Sequence, residues 1–254
     1  MRLRGVREPE DAELGIAVLR RAVELGGNII DTAEFYGPEV RERLIAEALH
    51  PYPDGLVNAT KGLIRWIGPN GRPEQTRPNL LREAVEGSLR RLRLERIDPY
   101  QLARIDRRVP AEDQLGALAD LRSQGKIRYV GLSEARIDQI EAARQIVPIA
   151  SVQNRFSLAD RVWEAAWTTA SRRISGSCPG STRQGSLANA GGTLMEIAKR
   201  HAATPAQVAR PWLLNRSPVM LPIPGTSSVP HLEENVAAAA LELDEDELEA
   251  VGAR

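Results

Sequence analysis

The sequence predicts a (β/α)8 barrel of the TIM type, and three observations predict it. Short apolar runs alternate with helical patterns along most of the 254 residues, and a helix between successive strands implies parallel pairing. No Gly-x-Gly-x-x-Gly turn follows any of those runs, so the fingerprint of an open dinucleotide-binding sheet is missing. The alternation also runs without a linker or a break in composition, which makes residues 1–254 one barrel domain.

Ala12, Ile16, Leu19 and Val23 recur at helical spacing and stop at Gly26-Gly27. Asn28–Thr32 is a short apolar run closed by polar residues, the pattern of a buried strand. Val40, Leu44 and Ala48 give a second helix, started by Pro38, and Leu56–Thr60 a second strand that ends at Lys61-Gly62. A long loop rich in Gly and Pro runs from Leu63 to Pro78. Leu81, Val85, Leu89 and Leu92 mark the next helix, and Pro99–Ala103 the next strand. Leu115, Leu118 and Leu121 form a helix stopped by Gly125. Tyr129–Ser133 and Ile149–Gln153 are strands on either side of a helix at Ile137 and Ile140. Pro211 is expected to interrupt the helix Pro205–Leu214, since an interior Pro costs about 3 kcal/mol. Val219–Ile223 reads as a last strand, and Pro224-Gly225-Thr226 leads to a helix around Leu232–Ala240.

The 34 Lys and Arg residues balance 34 Asp and Glu, so the basic excess of a nucleic-acid or anionic-membrane binder is missing. No stretch approaches the roughly 20 apolar residues of a membrane span. The start, Met1–Leu14, lacks the apolar core of a signal peptide. A single cysteine, Cys178, excludes an intramolecular disulfide and makes a reducing cytoplasm the expected location. No metal site is assigned.

In a barrel of this kind chemistry sits at the C-terminal ends of the strands. The polar residues there are Asp31, Lys61, Ser133 and Gln153, and Tyr36 follows Asp31 closely. Lys occurs only at 61, 126 and 199, and every other basic residue is Arg. A Lys at a strand end is therefore not a generic positive charge. A phenol is a poor acid near neutral pH, but a nearby ammonium favours its phenolate, and a carboxylate keeps the ammonium charged. Asp31, Tyr36 and Lys61 thus make a coherent proton-donating unit for a carbonyl oxygen. Two other readings stay open at this point. Asp31 reads equally as the cap of the next helix, and Lys61 as a Schiff-base former of the kind found in barrel aldolases.

A series of motifs resembles the aldo-keto reductase family. It comprises Gly27-Asn28-Ile29-Ile30-Asp31-Thr32-Ala33 with Tyr36-Gly37, then Ala59-Thr60-Lys61 and Arg96–Leu102. It continues with Gly125–Ser133, Val152-Gln153-Asn154, and Ile223–Ser228 with His231-Leu232-Glu233-Glu234-Asn235. The resemblance covers about residues 10–162 and 185–254, and implies a carbonyl reductase on a (β/α)8 barrel. The cofactor it implies is NADPH, with NADH open, and the partner a small-molecule aldehyde or ketone; the oligomeric state is left open. Tyr36 takes the place of the family's proton donor, with Asp31 and Lys61 tuning it. Ser133 and Gln153 match residues that hold the nicotinamide carboxamide. Gly225, Thr226, His231, Glu234 and Asn235 fall in the segment that grips the adenosine end, with Glu234 and Asn235 expected at a helix start whose amides favour a phosphate.

Four departures set this chain apart from the family pattern. Ala103 stands where the family has a catalytic His, which implies impaired catalysis. The family's N-terminal strand is expected to be missing, since only Met1–Glu8 precedes the first helix. Residues 167–184 are anomalous, reading as a Ser-, Gly- and Arg-rich loop with none of the expected strand. Codons read one base earlier across Ile174–Ser181 permit Ile-Gly-Phe-Leu-Pro-Trp-Phe, so a local shift of frame is one reading and an ordinary divergent loop the other. Gly225 and His231 occupy places where the family usually puts basic partners for a 2′-phosphate. A second function, a weak or inactive NADP-binding or interaction protein on the same fold, stays open beside the first.

Overall fold

A computed structural model describes residues 9–37, 40–62, 66–67, 72–73, 76–158, 160–164, 176–180 and 192–253. Met1–Glu8, the helix start at Pro38 and most of the loop Leu63–Pro78 lie outside the described residues. The strands are β1 (Ile29–Asp31), β2 (Val57–Gly62), β3 (Trp66–Ile67), β4 (Arg72–Pro73), β5 (Tyr100–Leu102), β6 (Val130–Ser133), β7 (Ile149–Arg155) and β8 (Gly176–Gly180). The helices are α1 (Pro9–Glu24), α2 (Val40–Leu49), α3 (Pro78–Leu92), α4 (Ala111–Ser123), α5 (Ile137–Arg144), α6 (Gly192–Arg200), α7 (Pro205–Asn215), α8 (Val229–Ala237) and α9 (Glu245–Gly252).

Six strands form one sheet in the order β1-β2-β5-β6-β7-β8, every neighbouring pair parallel. The pair β3–β4 is a separate antiparallel hairpin between β2 and α3. In a flat sheet β1 and β7 would lie four strand spacings apart, about 19 Å. Yet Gln153 Nε2 on β7 donates to Asp31 Oδ1 on β1 at 3.0 Å. Only a sheet rolled into a barrel wall brings those ends together.

The period of two along each strand sorts side chains between the two faces. Ile30, Tyr100, Leu102, Val130, Leu132 and Val152 face outward and join the helices in the core. Asp31, Lys61, Gln101 and Gln153 face inward. Gly131 leaves room between them, since a Cβ there would sit 2.8 Å from Gln101 Cγ. The apolar core falls into three clusters. The largest lies between β5–β7 and α3, α4 and α5; a second joins α1 and α2 to Ile30. The third is built from α6, α7 and α9 and includes Phe156 and Leu158, with Phe156 stacked on Trp212 at 5.7 Å.

A polar path links α2, β2 and α3. Glu42 of α2 accepts from Thr60 Oγ1 of β2 at 2.6 Å and from Arg91 Nε of α3 at 2.6 Å. Nothing in the spacing of these three residues announces the contact.

Three expectations are corrected. Val219–Ile223 forms no strand; Pro222 and Pro224 have no N–H to give a ladder. Residues 167–184 were expected to contain no strand, yet Gly176–Gly180 pairs in register with Ser151–Arg155. Backbone bonds to the long β7 hold it there in spite of Pro179 and two glycines. Pro211 does not interrupt its helix, because α7 runs through it to Asn215. A capping box of Thr204 and Gln207 and the buried Val208, Ala209, Trp212 and Leu213 outweigh the lost bond. Among the described residues β1 and β8 are the two sheet edges.

Asp106 organises the loop from β5 to α4. Its carboxylate accepts from Arg108 Nε at 2.9 Å, Arg108 Nη2 at 2.7 Å and Thr76 N at 3.1 Å. The Arg108 side chain, aided by the backbone amides of Arg108 and Thr76 and opposed by burial, holds the Asp106 carboxyl down to about 2. A depressed carboxyl stabilises the fold above the ordinary carboxylate range, and that contribution vanishes as pH falls through its folded value. Asp106→Asn should therefore lower stability in urea at pH 7, with the difference closing between about pH 4 and pH 2.

Candidate active site

Asp31 closes β1 and is buried, with 8% of its surface exposed. Its Oδ2 accepts from Lys61 Nζ at 2.7 Å, and its Oδ1 accepts from Gln153 Nε2 at 3.0 Å and Gln101 Nε2 at 3.3 Å. Lys61, only 2% exposed, also donates to the Thr32 carbonyl at 2.8 Å. Register places these groups together. Lys61 pairs with Gln101 across β2–β5, and Ser133 with Gln153 across β6–β7. A lysine this deeply buried needs a fixed counter-charge, and Asp31 supplies it. Asp31 Oδ2 and the Thr32 carbonyl fix the Lys61 side chain at the strand ends.

Tyr36 sits on the turn after β1, half-buried. Lys61 Nζ lies 5.3 Å from its ring centroid and the Arg41 guanidinium carbon 5.4 Å, while Phe35 packs edge-on at 5.0 Å. The turn is held by Thr32 N to Ala59 O at 2.9 Å, Glu34 N to Lys61 O at 2.9 Å and Tyr36 N to Ala33 O at 3.1 Å. Asp31, Lys61 and Tyr36 are thus brought together with Gln153, and Ser133 is close by, its Oγ donating to the Gln153 carbonyl at 3.1 Å. Ala103 follows β5 directly, is buried, and donates its N–H to Gly62 O at 2.8 Å. It stands beside the Lys61-Gly62 strand end.

Gly62 allows this packing. A Cβ there would clash with the Tyr100 hydroxyl and lie 2.8 Å from Glu34 Oε2. Tyr100 is fully buried and has nowhere to retreat. Gly62→Ala should destabilise the protein by about 1–3 kcal/mol, read from urea melts. It should also move Glu34, two residues from Tyr36.

The segment expected to grip a cofactor's adenosine end occupies a different element. Thr226 Oγ1 accepts from Ser228 N at 3.1 Å and donates to Ser228 O at 3.2 Å, shaping the turn into α8. Gly225, His231 and Glu234 are exposed, and Asn235 is buried with its Oδ1 accepting from Arg210. Burial lowers the Arg210 guanidinium from its ordinary value. One expectation fails here: Glu234 and Asn235 do not start the helix. Ser228 is the N-cap, and α8 begins at Val229, so His231 is in its first turn while Glu234 and Asn235 are near its end. The two prolines before and the Pro230 inside the turn fix that earlier start.

Gln101 is a functional candidate that sequence reasoning passed over. The alternation of β5 puts it on the same face as Ala103, which was the available signal. A cavity of about 680 Å³ opens on the flank between α4 and α5, lined by Ile105, Arg108, Leu115, Arg136 and Gln139. Asp31, Tyr36 and Lys61 do not line it, and the site here rests on the polar cluster at the strand ends. Among the described residues no group of three or more His, Cys, Asp or Glu is placed to hold a metal, and no helix is long and apolar enough to cross a membrane.

Comparison with known proteins identifies the family and the fold. The profile of the Aldo/keto reductase family matches residues 1–172 and 167–253, in two pieces that meet inside the anomalous segment. An uncharacterised oxidoreductase of Schizosaccharomyces pombe is 46% identical over 240 residues, covering 94% of this chain and 78% of its own. Pyridoxine 4-dehydrogenase of Escherichia coli is 40% identical over 247 residues, covering 94% and 86%. Among solved structures, a thermostable aldo-keto reductase in complex with the inhibitor epalrestat superposes with a TM-score of 0.82 at 27% identity, over 96% of this chain and 88% of that one. An aldo-keto reductase of Klebsiella pneumoniae in complex with NADPH shares the fold, with a TM-score of 0.82 at 24% identity over 98% and 87%.

Proposed function

Because the chain belongs to the aldo/keto reductase family, a family of oxidoreductases, we propose that it reduces an aldehyde or ketone with NADPH, Tyr36 donating the proton. The observation that carries this reading is the buried Lys61, held by Asp31 at 2.7 Å and lying 5.3 Å from the Tyr36 ring. When bound, NADPH supplies the hydride to the carbonyl carbon. The Tyr36 hydroxyl gives its proton to the carbonyl oxygen, so the product is an alcohol. Lys61 and Asp31 favour that transfer, because the ammonium stabilises the phenolate left behind.

The residues present suit such a cofactor. A carboxamide needs one donor and one acceptor, and the Gln153 side chain offers both beside Ser133 at the strand ends. The first turn of α8, with His231, presents the positive end of a helix to a phosphate, and Thr226 shapes the approach. Gly225, Glu234 and Asn235 complete the segment assigned to the adenosine end. The relative named pyridoxine 4-dehydrogenase points to an aromatic aldehyde such as pyridoxal as the first substrate to test. A cytoplasmic location and one domain over residues 1–254 belong to the same proposal.

Ala103 favours a second reading, an NADP-binding protein with weak or no turnover. Titration with NADPH while following nucleotide fluorescence, paired with an aldehyde-reduction assay, separates the two. Binding with turnover supports the first reading and binding without turnover the second. No binding overturns both.

A further inference from the structure

We propose that Gln101 is a positioning residue that releases Gln153 from Asp31, so that the Gln153 amide can turn to the cofactor. The proposal rests on the reading that Gln153 holds the nicotinamide carboxamide. Two amides share Asp31 Oδ1, Gln153 at 3.0 Å and Gln101 at 3.3 Å, while Oδ2 takes Lys61. These three side chains are buried, with Gln101 1% and Gln153 5% exposed. Water has little access to replace a lost donor, and a buried acceptor left bare is costly.

The two amides differ in what else holds them. Gln101 lies within β5, its Cγ against Gly131, and its Oε1 has no hydrogen-bond partner among the described residues. Its bond to Asp31 is therefore what orients the amide. Gln153 is held through its backbone as well: its carbonyl accepts from Ser133 Oγ and from Glu134 N, both at 3.1 Å. Its side chain can rotate about its own bonds without disturbing the strand. One donor to Asp31 is built in and the other is exchangeable. When Gln153 turns away, Gln101 keeps Oδ1 satisfied and Asp31 aimed at Lys61.

Without Gln101, turning Gln153 strips Oδ1 of its amide donors, so cofactor binding must bear that loss. The test compares the affinity of Gln101→Leu for NADPH and for 2′,5′-ADP, which lacks the nicotinamide. The Kd for NADPH should rise about tenfold, the scale of one buried hydrogen bond. The Kd for 2′,5′-ADP should stay within about twofold, because that ligand does not ask Gln153 to turn. Equal weakening of both ligands would mean a general structural role and overturn the proposal.

Gln101→Glu covers the case in which the Leu variant does not fold. A protonated Glu donates to Asp31 as the amide does, whereas an ionised one repels it. Its deficit in NADPH affinity should shrink as pH falls from 8 to 6; a deficit flat with pH overturns the idea. Gln153→Leu tests the underlying reading separately. If it leaves NADPH binding unchanged, Gln153 does not hold the cofactor, and the role of Gln101 falls with it. If it weakens NADPH while Gln101→Leu does not, only the role of Gln101 is lost.

Discussion

Tyr36→Phe should lower kcat for aldehyde reduction by about 10²- to 10⁴-fold, the range spanned by loss of a general acid. The substitution removes one oxygen and keeps the ring. The packing against Phe35 and the approach of Lys61 and Arg41 to that ring, at 5.0, 5.3 and 5.4 Å, all persist. NADPH affinity should therefore change by less than about twofold, since the ring contacts carry the local packing. A loss confined to kcat is the signature of a group acting only in the transition state. Steady-state kinetics with an activated aromatic aldehyde provides the measurement. Full turnover by the Phe variant would remove Tyr36 as the acid and leave Lys61 with another purpose.

Ala103→His should raise turnover by about 10²-fold, the scale of one well-placed donor to a developing oxyanion. Position 103 follows the last residue of β5, and its N–H is tied to Gly62 O at 2.8 Å, next to Lys61. It shares a face with Gln101, whose amide already reaches Asp31. An imidazole added there meets a carbonyl held near Tyr36 and fixes its orientation. Adding Tyr36→Phe to the same chain should abolish the gain, because orientation without a proton source does not help. If Ala103→His binds NADPH normally and gains nothing, the strand ends do not present position 103 to the substrate.

Much of this site could be read before any fold was known, and particular residues show why. The strands at Ile29–Asp31, Val57–Gly62, Val130–Ser133 and Ile149–Arg155 announce themselves as apolar runs closed by polar groups, a pattern that burial of both faces enforces. Asp31, Lys61 and Gln153 stand at those closures. The bonds among them could not be read, because they depend on how far the sheet rolls. Gln101 shows this best: alternation gives its face, and only curvature gives its partner. The link from Glu42 to Thr60 and Arg91 is likewise set by packing of α2 and α3 on β2. The start of α8 at Val229 follows from Ser228 and the prolines around it, and the apolar pattern after Leu232 concealed it. Gly176–Gly180 has no strand pattern at all, yet its backbone pairs with β7 where the shifted codon reading places an apolar strand.

The third core cluster has a consequence for cooperativity. Residues of α6, α7 and α9 bury their apolar surface mainly on one another, with Phe156 and Leu158 as the members contributed from just beyond β7. The cluster around β5–β7 is complete without them. Such a division makes the C-terminal third a candidate to open as its own unit, of the kind amide exchange resolves as foldons within a single domain. A ligand spanning from Gln153 on the sheet to the first turn of α8 would couple the two units. Its binding energy would then appear partly as slowed exchange in helices that never touch it.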